Sequence, residues 1–296
     1  MESQMKRKDQ LYGWLFVLPA LLVLVAVILY PLLNTIFLSL QQKVLIAPSK
    51  DGYIGLDHYG RLLRDTQVRK YMINTLVFTC CSVALKMIIG MIGALLLNTK
   101  RKGAKVYWSI FMIPWLAPSV VAALVWKWIL HDQFGILNQV LRQIGLLDHQ
   151  VAWLSDPLLA FIAVVVVDAW VGVPFMIVVL LAGMQTIPRE WYEAAVVDGA
   201  NRWRRFLHIT LPGLKPIVIV MGTISLIGTF NSFNIIYTMT GGGPIDSTTT
   251  MALHIHRTAF TNYDFGYASA LSVVTFVLIM GVATFYIRRL QMKGER

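Results

Sequence analysis

Charge is what this sequence has least of. Of its 296 residues only 14% are Asp, Glu, Lys or Arg, against 57% apolar, and the mean hydropathy is +0.64. Soluble domains carry about 25% charged residues, so the composition excludes an ordinary water-soluble globule and points to an integral membrane protein. Acid is scarcer than base: 15 Asp and Glu against 26 Lys and Arg, a net charge of +11. A nucleic-acid-binding domain would gather that excess on one soluble face. Here the basic residues lie mainly in short segments between apolar runs, which suits membrane lipid and a protein partner and leaves no role for nucleic acid. Cysteine is nearly absent. Cys80 and Cys81 are adjacent within an apolar run, point in different directions on a helix and can hardly form a normal disulfide, so they read as small packing residues. Metal-ligand spacing is lacking, and so is the G-x-x-x-x-G-K-[ST] phosphate loop; the nearest approach, GGGPID, has no lysine.

What the sequence has instead is long apolar runs. A membrane-crossing helix needs about 20 mostly apolar residues, and six segments qualify, at about 13–40, 71–98, 106–130, 157–183, 215–240 and 265–287. The first lies within an uncharged run from Leu11 to Gln42, too long for a signal peptide, whose apolar region is about 7–15 residues, so it reads as a retained span. With the N-terminus inside, the inner segments hold sixteen Lys and Arg and the outer ones eight. The positive-inside rule therefore favours both termini in the cytoplasm, residues 1–12 and 288–296 being short tails. Pro31, Pro114, Pro118 and Pro174 lie within spans and are expected to kink them, which lipid tolerates only where neighbouring helices cover the freed carbonyls. Bent helices of this kind can enclose a pathway; kinks made only for packing are the alternative.

The segment 186–214, between the fourth and fifth spans, holds unusual polarity. TIPREWYEAAVVD reads as a short helix with Thr186 as N-cap and Pro188 in its first turn. Glu190 and Glu193 lie near the positive end of its dipole, and Gly199 is suited to a left-handed termination. Helical spacing puts Glu190, Glu193 and Val197 on one face and Trp191, Ala194, Ala195 and Asp198 on the next. Two alanines beside a large aromatic make a surface another backbone can approach closely. NRWRRFLHITLP reads as a second helix with Trp203, Phe206, Leu207 and Thr210 on one side and Arg202, Arg204, Arg205 and His208 elsewhere, suited to the membrane interface.

The same stretch, EAAVVDGANRWRRFLHITLP, resembles the EAA signature of bacterial ABC-importer membrane subunits, matched at Glu193, Ala194, Ala195, Asp198, Gly199, Ala200, Phe206, Ile209, Leu211 and Pro212. WLFVLPALLVLVAVILYPLLNTIFLSL, VWKWIL, FGILNQVL, WLSDP and IYTMTGGGPIDSTTT extend the resemblance over essentially the whole chain, to the carbohydrate-uptake branch with maltose-transporter-type membrane subunits. The resemblance implies an all-α, polytopic membrane protein with the transmembrane fold of type I ABC importers, in the bacterial cytoplasmic membrane. It implies a non-catalytic permease that forms half of a translocation pathway for an oligosaccharide, sugar or polyol phosphate. It also implies cytoplasmic ATPase subunits that use ATP and Mg, a second homologous six-span subunit and an extracytoplasmic solute-binding protein as partners. No cofactor is then expected on this chain. Glu190, Glu193, Ala194, Ala195, Asp198, Gly199 and Ala200 would make the ATPase-coupling element.

Substrate-facing candidates lie deeper in the spans. TFNSFNIIY is unusually polar for lipid; Asn231, Asn234 and Tyr237 recur at intervals of three, close to one face, with Phe233 between them. Amides and aromatic rings suit sugar hydroxyls and pyranose faces, while helix–helix hydrogen bonding is the alternative. Lys86 and Asp168 are intramembrane charges, expected to face the bundle interior, with Trp170 beside the latter. They lie at broadly similar depth and could pair; a snorkelling lysine and an aspartate facing a watery cavity are the alternatives. Two other functions compete: a secondary transporter or channel working without an ATPase, for which only Asp168 offers an ion-coupling carboxylate, and an ABC-importer subunit for a solute other than sugar.

Overall fold

The computed structural model describes residues 14–98 and 104–292. The basic clusters at Lys6, Arg7 and Lys8, around Arg101 and at the extreme C-terminus lie outside these residues. The chain divides into two compact units, residues 66–254 with 278–292 and residues 14–65 with 255–277.

In the smaller unit, α1 (Trp14–Leu38) is 25 residues of mean hydropathy 2.8 with none of its most apolar stretch buried, the surface expected of a helix facing lipid. The effect of Pro31 is a wide turn rather than a sharp kink: Val25–Leu29 is π-helical, and Tyr30 N–H reaches back five residues to Val25 O. After α1, β1 (Gln41–Gln42) pairs antiparallel with β2 (Gly52–Tyr53). Lys43 and Asp51 close this loop as an ion pair, and the lysine's hydrogen bond holds the Asp51 carboxyl below the usual carboxylate range. Next, α2 (Asp57–Arg64) presents Arg61 over the Tyr267 ring at 4.4 Å, and His58 meets Gln41 O at 3.0 Å. At Gly266 a Cβ would lie 2.1 Å from Gln41 O, so this approach requires glycine.

The larger unit is built on α3 (Thr66–Leu97) and α7 (Pro157–Gln185). Asp156 caps α7, accepting from Leu158 and Leu159 N–H at 2.9 Å, with Pro157 at the first helical position, where no N–H is missed. The two long helices touch through small residues: Cβ atoms at Gly90 and Gly93 would lie 2.5 Å from Met176 Cγ and Ile177 Cδ1. Small residues are the usual means of close packing in lipid, where no water drives helices together.

The third span, expected to be kinked at its prolines, is broken in two. It consists of α4 (Ala104–Leu116) and α5 (Ser119–Ile129), bent by 100°. Pro118 is the cause, with ψ at 141 directing the chain away, whereas Pro114 is accommodated inside α4. A short helix α6 (Ile136–Gln143) then precedes α7. Beyond α7 come α8 (Arg189–Val197) and α9 (Arg202–Arg205), which continues through a π turn at Phe206–Thr210 toward α10 (Lys215–Phe230). The fifth apolar stretch is interrupted too: α10 stops at Phe230 and α11 (Asn234–Met239) restarts after Asn231–Phe233. The unit boundaries fall inside the last two helices, α12 (Met251–Phe260) and α13 (Phe265–Met292). Counting the bent pair as one span, the described residues hold six apolar spans.

Candidate functional site

Segment 186–214 forms an exposed corner between α7 and α10. Thr186 does not cap α8 as expected. It closes α7 instead, its hydroxyl donating to Gly183 O at 2.9 Å, and Pro188 occupies the N-cap of α8 with extended ψ. A threonine at a helix end can serve the free carbonyls behind it as well as the free amides ahead, and here the carbonyls win. No residue of α8 is buried. Glu190, Glu193 and Ala194 are exposed, Ala195 and Ala200 are half-buried, and Val197 is 88% exposed. Gly199 takes φ +74 and Ala200 N–H returns to Ala195 O at 2.8 Å, so the left-handed glycine termination stands as expected.

The corner is anchored by a residue the sequence reading missed. Tyr192, on the inward side of α8, packs in the cluster around Leu180, Met184 and Leu214, and its hydroxyl pairs with buried Thr210 Oγ1 at 2.9 Å. Tyr192 and Ala195, three residues apart, form the less exposed side of α8. Asn201 caps the second helix by accepting from Arg204 N–H, and Trp203 stacks on Phe206 with centroids 5.6 Å apart.

The second site is a polar cluster in the middle of α3 and α7. Lys86 Nζ lies 2.6 Å from Asp168 Oδ2 and 2.8 Å from Thr229 Oγ1. Both charged side chains are more than nine-tenths buried. Ser82, one turn before Lys86, also donates to Asp168 Oδ2, and Ser232 donates to Oδ1 at 3.2 Å. Gly172, one turn after Asp168, leaves room for the lysine stem; a Cβ there would sit 2.6 Å from Lys86 Cε. Burying two ions is costly unless they pair and their remaining valences are filled, and here three hydroxyls do the filling.

This cluster borders two cavities. One, of about 310 Å³, runs along Phe175, Met221 and Ser225; the other, of about 390 Å³, is lined by Ser119, Asn231, Phe233 and Asn234. Lys86, Asp168, Val171 and Gly172 line both. The structure thus brings together five of the seven proposed pathway residues. Tyr237 does not line these cavities but stacks on Phe233, centroids 5.0 Å apart. Trp170 turns away, edge-on to Trp126 at 5.6 Å, in a packing contact. The expected three-residue repeat does not carry Asn231, Asn234 and Tyr237 along one helix, because the break at Asn231–Phe233 resets the register. Asn231 donates back to Ile227 O, while Asn234 donates to Ser119 Oγ at 3.3 Å, joining α11 to α5.

Beyond α11, the loop 241–249 is pinned to α3. Asn74 Nδ2 donates to the carbonyls of Ser247 and Thr249 at 3.0 and 3.1 Å, and Tyr71 to Asp246 at 3.2 Å. Among the described residues no three His, Cys, Asp or Glu side chains gather as metal ligands.

Comparison with known proteins gives one answer at the level of sequence and of structure. Residues 86–293 match the family model described as binding-protein-dependent transport system inner membrane component. The trehalose/maltose transport system permease protein MalF of Thermococcus litoralis is 38% identical, over 97% of this chain and 96% of that protein. The sulfoquinovosyl glycerol transport system permease protein SmoG of Agrobacterium fabrum is 36% identical, over 96% and 92%. The fold superposes on a chain of a bacterial ABC transporter involved in the import of the acidic polysaccharide alginate with a TM-score of 0.82, at 25% identity and 98% coverage of both chains. A set of apolar helical spans, a family model over more than two thirds of the length and near full-length relatives agree: the chain belongs to the family of inner membrane components of binding-protein-dependent transport systems, multi-pass permeases of ABC importers.

Proposed function

We propose that this chain is one of two membrane subunits of an ATP-driven carbohydrate importer and that segment 186–214 transmits the force of a separate ATPase to the pathway. The observation that carries the coupling role is the exposed helix α8, with Glu193, Ala194 and Ala195 on its surface and Gly199 turning the chain at φ +74. A nine-residue helix without one buried residue is poorly explained as a core element. Its small exposed side chains allow another backbone close, and Glu193 offers a carboxylate to a basic or amide partner. Glu190, Asp198 and Ala200 complete the contact face. The chain lacks a phosphate loop, so ATP and Mg belong to the partner, and no catalytic residue is assigned to this subunit.

Carbohydrate is favoured as substrate by the names of the near full-length relatives, trehalose/maltose and sulfoquinovosyl glycerol permeases. The chemistry of the outer cavity agrees with it. Asn231 and Asn234 supply amides, Phe233, backed by Tyr237, supplies an aromatic ring, and Lys86 with Asp168 closes the inner wall. The family description supports an external binding protein as donor of the solute. The distribution of lysine and arginine supports cytoplasmic tails at 1–12 and 288–296 and a cytoplasmic coupling segment.

In this mechanism ATP binding draws the coupling helices of the two membrane subunits together. Because α8 is tied to the helical core through Tyr192 and Thr210, displacement of α8 moves α7 and α10 as packed bodies rather than bending the corner. The Glu193→Lys, Gly199→Asp double variant tests this. Uptake of radiolabelled maltose or trehalose by cells carrying the full importer is expected to fall at least tenfold, with membrane insertion and capture by the external binding protein intact. Unchanged uptake would remove the coupling role. Tagged chain from native membranes should also bring down an ATPase and a second six-span subunit.

A further inference from the structure

The two cavities at the centre of the larger unit share a wall made of Lys86, Asp168, Val171 and Gly172. The cavity with Met221 and Ser225 lies toward the coupling-segment end of α10, and the one with Asn231 and Asn234 lies beyond its other end. At the ion pair Gly172 contributes no side chain to the wall, and the stem of Lys86 fills that place. Its polar ties come from both sides of a chain break: Thr229 is in α10, and Ser232 is in the interruption before α11. Bending at this break would part those two hydroxyls from the pair.

The charge state of the wall also restricts what can pass it. Lys86 and Asp168 cancel, and each is otherwise held only by hydroxyls among the described residues. An ammonium has three donors and a carboxylate about four acceptor positions, so one ammonium proton and part of Oδ1 remain for a further ligand. An anionic solute would draw Lys86 away and strand the aspartate in a buried site, which is strongly unfavourable. A neutral polyol exchanges hydroxyl for hydroxyl with no change of charge.

We propose that Lys86 and Asp168 form a movable polar partition between two chambers of one solute route, passed by neutral polyhydroxylated solutes whose hydroxyls replace those of Thr229 and Ser232. The proposal rests on the transport reading above, but its test needs neither transport nor ATP. In a full chain with Cys80 and Cys81 replaced by alanine, Ser225→Cys and Ser119→Cys report on the two chambers. A membrane-impermeant methanethiosulfonate is applied to vesicles from the coupling-segment side. In the parent background Ser225→Cys is expected to react at least tenfold faster than Ser119→Cys. Asp168→Asn or Lys86→Met should bring that ratio to within about twofold. Gly172→Ala, which keeps both charges and pushes a methyl against Lys86 Cε, should lower the ratio too and serves where a charge variant fails to reach the membrane. Equal labelling in the parent, or an unaltered ratio in Gly172→Ala and whichever charge variants insert, overturns the partition. Absence of ATP-driven uptake in the parent would instead count against the transport reading alone.

Discussion

At the scale of single residues, glycines decide where two backbones may approach. Gly90 and Gly93 both face α7, yet their neighbours differ in what they can yield. A Cβ at Gly93 meets only the outer side chain of Ile177, Cδ1 at 2.5 Å and Cγ1 at 2.8 Å, which a rotamer change moves aside. A Cβ at Gly90 meets Met176 Cγ at 2.5 Å, Cβ at 2.8 Å and its backbone carbon at 3.5 Å, so relief requires the helices to part. Overpacking costs about 1–3 kcal/mol; Gly90→Ala is expected near the top of that range and Gly93→Ala near the bottom. The temperature at which detergent-purified protein stops running as a single species should drop more for the first, and equal losses would refute the distinction. Buried polar residues show why the site was only partly legible. Lys86 and Asp168 stand out in an apolar run because charge in lipid is rare. Ser82, Thr229 and Ser232 do not, since serine and threonine in such helices commonly satisfy themselves on the carbonyl four residues back, as Thr223, Ser272 and Thr275 do here. Nothing in local sequence separates a hydroxyl bonded at home from one bonded across the bundle.

At the scale of elements, hydropathy located the spans and missed their breaks. All six apolar stretches have ends within about five residues of those expected, because burial of backbone in lipid demands length. A kink at Pro118 was expected, but not a bend of 100°, because Pro114, Pro118 and Pro174 look alike in composition, yet only Pro118 of these ends a helix. What distinguishes it is the extended ψ that the connection to α5 imposes, a tertiary property. The linker 130–156 carries the motifs FGILNQVL and WLSDP, but nothing in them marks the side chain that makes most of its ties. Asn138 on α6, 2% exposed, donates to Asp132 O and Val151 O at 2.9 Å and accepts from Val151 N–H and Trp153 Nε1. Asn138→Leu keeps the volume and removes all four bonds, leaving buried groups unsatisfied at about 1–3 kcal/mol each. Limited proteolysis between residues 144 and 156 should accelerate at least tenfold while the spans stay intact; an unchanged cleavage rate would show the linker is held by other contacts.

At the scale of the whole molecule, the buried pair joins elements far apart in sequence: α3 through Ser82 and Lys86, α7 through Asp168, α10 through Thr229, and the break before α11 through Ser232. Stability and function should therefore separate under substitution. Removing one partner leaves an uncompensated charge in a low-dielectric interior and costs about 3–5 kcal/mol, whereas replacing both with apolar residues is often neutral. Lys86→Met and Asp168→Leu are each expected to lower the thermal stability of the assembled protein, and the double variant to recover most of the loss, giving a coupling of about 2 kcal/mol or more. Uptake should follow another pattern. The double variant has an apolar wall with no donor or acceptor to exchange with a solute hydroxyl, so transport stays at least tenfold down even where stability returns. Additive stability losses would show that the two charges are not coupled in the membrane. Recovery of uptake together with stability would mean that the pair only holds helices together, and that solute passes without touching it.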